Sequence, residues 1–207
     1  MLRRGVILQT CYRLRHELGR GTFGVVFSAH DGYRSEYVAI KMLEKKDDEQ
    51  FESGITEIRA LREIGTLSGV PKMLHYFETS THLGIAMREE LETLETQYKT
   101  KRPPWFQDKT VVAIGWQLTK ILETTHQKNL VHRDIDSSNI MISIDHDTRA
   151  PLLIIDWGVC LDLAKVRDPN RRDIYFAHSF SVSSRMARGL IATKKCDMIM
   201  SLYLRFF

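Results

Sequence analysis

Three glycines, one lysine and three side chains that carry hard oxygens stand at spacings suited to handling a phosphate. Gly19, Gly21 and Gly24 fall within Gly19-Arg20-Gly21-Thr22-Phe23-Gly24-Val25-Val26. Positions without a Cβ let backbone N–H groups approach a phosphate that a larger residue would hold away. Lys41 closes the run Val38-Ala39-Ile40-Lys41 and supplies fixed positive charge for α- and β-phosphates. In the same run the small Ala39 leaves room for a flat base, whose other face Val26 would cover. His132-Arg133-Asp134, with Asn139 five residues after the aspartate, offers a carboxylate and an amide oxygen. Asp134 could orient an attacking hydroxyl or take its proton, and Asn139 could ligate Mg²⁺. Asp156, in Asp156-Trp157-Gly158, is a second hard-oxygen ligand. Mg²⁺ favours such oxygens together with substrate phosphates, so the set suits phosphoryl transfer from ATP.

Each motif also has a plainer explanation. A Gly-x-Gly-x-x-Gly pattern marks dinucleotide sites and ordinary turns as well. A dinucleotide fingerprint, however, opens a helix and is followed by an acidic residue about twenty positions on. Here Val25-Val26-Phe27 reads as strand, and a lysine arrives in the next one. A lone lysine ending a strand is usually a surface residue, and an aspartate before glycine is usually a turn. The order of the four motifs along one chain is what argues against coincidence. Glu57 is the natural ion-pair partner of Lys41, ahead of Glu52 and Glu63, because Ile58 and Leu61 place the core face of its helix beside it.

The elements that must position these groups can be read from periodicity. Residues 12–18, 25–27 and 37–42 read as strands around the glycine turn, and 45–50 as a charged loop. Ile55, Ile58, Leu61 and Ile64 mark one face of a helix, which Gly69-Val70-Pro71 punctuates before apolar runs at 73–77 and 83–87. A basic connector at 99–104 leads to the helical stripe Val111, Ile114, Leu118, Ile121, Leu122 and Thr125. Short strands at 140–144 and 152–155 flank a loop at 145–151. A strand-rich part therefore precedes a helix-rich part, with the boundary near Arg88 to Glu95.

Composition narrows the class. The 207 residues suffice for one good core or a small two-lobed domain, and 43% hydrophobic with 27% charged residues is ordinary for a globular chain. The net charge of +4 implies no particular partner. No basic-aromatic clusters point to nucleic acid, and no apolar run reaches membrane-spanning length. Cys11, Cys160 and Cys196 are odd in number, far apart and without zinc spacing, which predicts reduced thiols in a cytoplasmic or nuclear protein.

At the quoted motifs the chain resembles the eukaryotic protein kinase superfamily, most specifically between Tyr12 and Gly158. The resemblance implies an α+β, two-lobed kinase-like fold: a tail at 1–11, a small antiparallel β-sheet lobe at 12–91 and an incomplete helical lobe at 92–207. It implies an ATP- and Mg²⁺-dependent enzyme that acts on Ser or Thr of a protein substrate. Gly19, Gly21 and Gly24 would be the phosphate loop, with Leu18, Val26, Ala39, Lys41, Met87 and Met141 around the nucleotide. Lys41 and Glu57 would be the catalytic ion pair, Asp134 the base, and Asn139 and Asp156 the metal ligands. Gly69-Val70-Pro71 and residues 91–94 resemble the casein kinase 1 branch.

The chain departs from that pattern in places. Asp136 stands where protein-serine kinases usually carry a lysine, and like charges ~4 Å apart cost about 1 kcal/mol in water and about 4 in a partly buried site. Asp136 and Ile155-Asp156-Trp157 also suit kinase-like phosphotransferases of small molecules. Trp157 replaces the usual phenylalanine and could still pack against Leu61 and His132. Ala187-Arg188-Gly189 lacks the glutamate of the usual Ala-Pro-Glu. These features keep a second class open, a non-catalytic module that binds nucleotide or a partner. The apolar residues Met198, Ile199, Leu202, Leu204, Phe206 and Phe207 are expected to be exposed and to favour self-association, with residues 159–190 mobile.

Overall fold

Period-two alternation builds the first part of the chain. In the computed structural model, which describes residues 2–22, 24–90, 92–100, 108–143, 152–168, 186 and 190–202, six antiparallel strands are ordered β1-β2-β3-β4-β6-β5. They are β1 (Ile7–Leu8), β2 (Tyr12–Gly21), β3 (Gly24–Asp31), β4 (Glu36–Glu44), β5 (Met73–Glu78) and β6 (His82–Arg88). Val38, Ile40 and Met42 of β4 pack with Leu14, Phe27, Ala29 and Phe77 on the covered face. The other face of β4 carries Ala39 and Lys41, because successive side chains point to opposite sides. The sheet curls far enough for Gln9 Nε2 to donate to the Glu78 carbonyl at 3.4 Å and for Tyr12 to stack on Phe77 with centroids 5.9 Å apart.

Helix α1 (Asp48–Ile64) covers Leu43, Leu83 and Ile85 with Ile58. Gly54 permits the close approach, since a Cβ there would lie 2.7 Å from Leu83 Cδ2. The helix begins inside the stretch expected to be a loop. Asp47 caps it by accepting from Gln50 N at 3.0 Å, which satisfies an orphan N–H of the first turn. Residues expected to form a tail also contribute: β1 pairs with β2 in the register Ile7↔Arg13 and Leu8↔Tyr12, and Gly5 N donates to Leu14 O at 2.8 Å.

Two compact units result, residues 1–65 with 71–90, and residues 66–70 with 91–207. The second is led by helices: α2 (Leu94–Thr100), α3 (Asp108–Gln127) and α4 (Lys194–Leu202). Ile114, Leu118, Ile121, Leu122 and Thr125 of α3 are buried, as their spacing predicts, while Val111 is only half-buried. Two short antiparallel pairs complete it: β7 (Leu130–Val131) with β10 (Leu161–Asp162), and β8 (Ile140–Ile142) with β9 (Leu152–Ile154). Gly69, at φ +82°, docks the segment 66–70 here; its carbonyl accepts from Ile154 N at 2.9 Å, and a Cβ would strike the Ile121 side chain. The fold is that expected from the resemblance, a curled antiparallel sheet unit followed by a helical one.

Candidate active site

The groups of the first unit lie on the β-sheet face opposite the core formed by Val38, Ile40 and Met42. Cross-strand register sets Val26 opposite Lys41 and Ser28 opposite Ala39, and Ala39 opposite Met87. Val26, Ala39, Lys41 and Met87 therefore share one face, and all but Lys41 are half-buried. Leu18, at the glycine end of β2, is 45% exposed. Phe23 lies outside the described residues. Gly24 has φ +109°, and a Cβ there would run into the Met42 carbonyl, so its glycine is a backbone requirement. A Cβ on Gly19 or Gly21 would meet nothing within 4 Å. The protein's own packing does not demand glycine at those two positions, which fits a loop left bare for a ligand.

Lys41 Nζ and Glu57 Oε2 are 2.7 Å apart, with side chains 8% and 2% exposed. The expected partner is the one the fold delivers, since Glu57 lies on the buried face of α1 with Ile58 and Leu61. Such a pair is costly to desolvate, so its retention is weak evidence of stability.

The second unit holds the oxygen-bearing groups. Asn139 Nδ2 donates both to the Asp134 carbonyl at 3.0 Å and to Asp134 Oδ2 at 2.9 Å. Asp134 Oδ1 is buried and has no hydrogen-bond partner among the described residues. A buried carboxylate oxygen left open in this way suits an incoming hydroxyl. Burial pushes the Asp134 carboxyl above its ordinary value; His132 opposes the rise, Asp156 adds to it, the Asn139 hydrogen bond opposes it, and Asp136 adds again. Because Asn139 uses its side-chain nitrogen in both bonds, its side-chain oxygen Oδ1 faces no competing donor in them and can serve a cation. Ile155 N donates to the Asn139 backbone carbonyl at 2.9 Å, and β8 pairs with β9 as Ile140↔Ile154, so the chain just before Asp156 is tied to Asn139. Asp156 itself is left-handed, at φ 61° and ψ 68°. Backbone strain at a non-glycine residue is concentrated at functional positions. The donor set, hard oxygens from Asn139 and Asp156, fits Mg²⁺. Met141, in β8, is half-buried and pairs with Leu153.

Trp157 is fully buried, its Nε1 donating to Ile154 O at 2.8 Å. Its ring meets that of His132 edge-on, centroids 4.6 Å apart, so the larger aromatic is accommodated with its N–H satisfied. His132 in turn bonds Ile155 O through Nε2 at 2.9 Å, a structural role.

Two residues do more than sequence reasoning assigned them. Asp136 caps the 3-10 turn at Ser137–Asn139, accepting from Ser138 N at 3.1 Å and Ser138 Oγ at 3.0 Å. Asp197, fully buried on α4, accepts from His132 N at 2.7 Å, Arg133 N at 2.8 Å and His126 Nε2 at 2.9 Å. It thereby holds the backbone just before Asp134. The signal was present: an aspartate inside Cys196-Asp197-Met198-Ile199 needs buried partners. The Ala187-Arg188-Gly189 segment and most of residues 159–190 fall outside the described residues, as do the side chains of Ile199 and Leu202 and all of residues 203–207.

A protein kinase domain model matches residues 12–195. The chain is 27% identical over 159 residues to "Probable serine/threonine-protein kinase mkcB" of Dictyostelium discoideum, covering 76% of this chain and 21% of that protein. It is 26% identical over 184 residues to calcium-dependent protein kinase 5 of Plasmodium falciparum (89% and 31%). With casein kinase I homolog 2 of Schizosaccharomyces pombe it shares 27% over 171 residues (78% and 36%). The domain match covers most of the chain and defines its class: the chain belongs to the protein kinase domain family. It spans about a fifth to a third of the length of these relatives. Among the described residues no helix is long and apolar enough to cross a membrane.

Proposed function

We propose that this chain binds ATP with Mg²⁺ and transfers the γ-phosphate to Ser or Thr hydroxyls of proteins, in the cytoplasm or nucleus. The observation that carries this is the Asp134 carboxylate, one oxygen fixed by Asn139 and the other buried and open. Asp134 would orient the substrate hydroxyl and receive its proton as the oxygen–phosphorus bond forms and the bond to ADP breaks. Lys41, steadied by Glu57, would bind the α- and β-phosphates, with the bare backbone of Gly19 and Gly21 beside them. Leu18, Val26, Ala39, Met87 and Met141 would enclose the base. Asn139 and Asp156 would hold Mg²⁺, which when bound neutralises charge on the phosphate oxygens.

Transfer of labelled phosphate from ATP to a mixed peptide library, compared with Asp134→Asn, tests the proposal. Signal in the native chain and none in Asp134→Asn supports it; equal signal in both removes Asp134 from the role. Asp136 favours a second reading. Its negative charge acts on Asp134 in the same direction as burial, against ionisation. A chain that binds Mg·ATP and labels no peptide would be a non-catalytic module, whereas labelling only of small alcohols would make it a small-molecule phosphotransferase.

A further inference from the structure

The first unit contains a hollow that phosphate transfer does not use. It has a volume of about 270 Å³ and lies among β1, β2, β3 and the turn after β3, with Thr10, Cys11, Arg13 and His30 lining it and Ile7 and Tyr33 at its sides. Arg13 and His30 face one another directly across the β2–β3 ladder. Directly opposed residues keep their Cβ atoms about 5 Å apart, close enough for both to meet one ligand.

Neither the Arg13 guanidinium nor the His30 ring nitrogens has a hydrogen-bond or ion-pair partner among the described residues; His30 only meets the Tyr37 ring edge-on. Arg13 is exposed, as are Arg3, Arg4 and Arg59, likewise unpartnered among the described residues, but it alone of these lines the hollow; three other arginines of the unit are engaged. Arg15 lies over Tyr37 and reaches Ser28, Arg20 pairs with Glu17, and Arg62 reaches Tyr76. Among the described residues no carboxylate lines the hollow. The adjacent Asp31 is 3% exposed, and its Oδ1 accepts from Tyr33 N at 2.8 Å and Arg34 N at 3.3 Å.

Those same bonds fix the aromatic side. The Asp31 turn sets the backbone of Tyr33, whose ring is 81% exposed, and Gly32 N donates to Cys11 O at 3.0 Å, tying the turn to the floor. Ile7 is 52% exposed across from it. Burial, and then the charge of Asp31, push the Cys11 thiol up, so the floor is a neutral thiol and not a competing anion. Two unpartnered nitrogen donors, two exposed apolar walls and a preformed turn make a site for an anion with a flat apolar body.

We infer that this hollow binds a compact aromatic acid, a phosphate or carboxylate borne on a single ring, with Arg13 and His30 holding the anion and Tyr33 and Ile7 the ring. Two sources share that chemistry, a phosphotyrosine side chain of a polypeptide and a free small aromatic acid. The inference is independent of phosphate transfer, so calorimetric titrations of the full chain are run in saturating Mg·ATP.

Phenyl phosphate is expected to bind, and Arg13→Gln to weaken it about tenfold, the usual weight of a hydrogen bond to a charged group. Tyr33→Ala should weaken phenyl phosphate but not inorganic phosphate. Unchanged thermal unfolding of both variants shows that the fold is kept. Binding of phenyl phosphate that survives in Arg13→Gln and in His30→Gln overturns the site, as does its absence in the native chain. Inorganic phosphate binding as tightly as phenyl phosphate overturns the role of the ring. A phosphotyrosine pentapeptide that binds tighter than phenyl phosphate and benzoate assigns a polypeptide source; one that binds weaker assigns a free acid.

Discussion

Asp134 shows how a catalytic requirement and a stability requirement conflict at one side chain. Its folded-state pKa is raised, chiefly by burial, so its contribution to stability is present at low pH and lost as pH rises through the folded value. At neutral pH the ionised group therefore costs stability. Asp134→Asn should abolish transfer while raising the midpoint of thermal unfolding by roughly 2–4 °C, the response of a chain this size to ~1 kcal/mol. A lowered midpoint would show that the buried charge is better compensated than its open Oδ1 implies. Asp136 invites a paired test, since its carboxylate both caps Ser138 N and bears on Asp134. Asparagine can keep the cap without the charge, whereas lysine cannot accept the bond. Asp136→Asn should therefore raise the initial rate of peptide labelling with stability unchanged. Asp136→Lys should also raise the rate, but at a loss of ~1 kcal/mol in urea unfolding, as for other caps. A slower Asp136→Asn would mean that the carboxylate takes part in the reaction and would favour small-molecule substrates.

At the scale of elements, legibility followed locality. Strand alternation placed Ala39 and Lys41 on one face, and the helical period of Ile58, Leu61 and Ile64 placed Glu57 beside the core; both involve neighbours a few residues apart. Asp197 was harder, because its partners His126, His132 and Arg133 are 64 to 71 residues away and only a folded chain brings them together. Strand β1 was missed for a related reason: Val6-Ile7-Leu8 is too short for periodicity to register, and its pairing is decided by the sheet it joins. Asp136 was read as a charge because its capping bonds depend on a turn the sequence does not announce. Asp197→Ala would remove the acceptor of the His132 and Arg133 amides, a cost of about 1–3 kcal/mol for the buried His132 amide if it is left unsatisfied. Urea unfolding should register that loss, and amide exchange at residues 132–134 should accelerate. Unchanged exchange there would show that α4 does not hold the catalytic loop. Ser53 on α1 predicts the opposite sign. Its Oγ is buried without a hydrogen-bond partner among the described residues, so Ser53→Ala should stabilise the chain by ~1 kcal/mol.

For the whole molecule, the decisive property is linkage between nucleotide, metal and folding. Of the apolar residues expected to be exposed near the end of the chain, only Met198 has a described side chain and it is half-buried, while Cys196 and Asp197 at the start of α4 are buried. This part of the helix is therefore anchored and not a loose end. If ATP binds the folded chain and not the unfolded one, its free energy appears as stability, about 2.7 kcal/mol at a hundred times Kd. For a chain of 207 residues, that corresponds to a rise of roughly 5–11 °C in the unfolding midpoint, at 2–4 °C per kcal/mol. Mg²⁺ should be responsible for much of it, because Asn139 and Asp156 present oxygens that repel phosphate unless a cation lies between them. The rise should shrink when EDTA replaces Mg²⁺, and Asp156→Ala should lose the metal-dependent part while keeping the smaller shift contributed by Lys41. Lys41→Met should lose shift under both conditions, and Glu57→Gln should fall between the native chain and Lys41→Met, since it weakens the hold on the lysine without removing its charge. Equal shifts with and without Mg²⁺ in the native chain would rule out Asn139 and Asp156 as metal ligands. No shift at all at millimolar Mg·ATP would rule out the nucleotide site, and would leave the kinase fold here as a scaffold for partners.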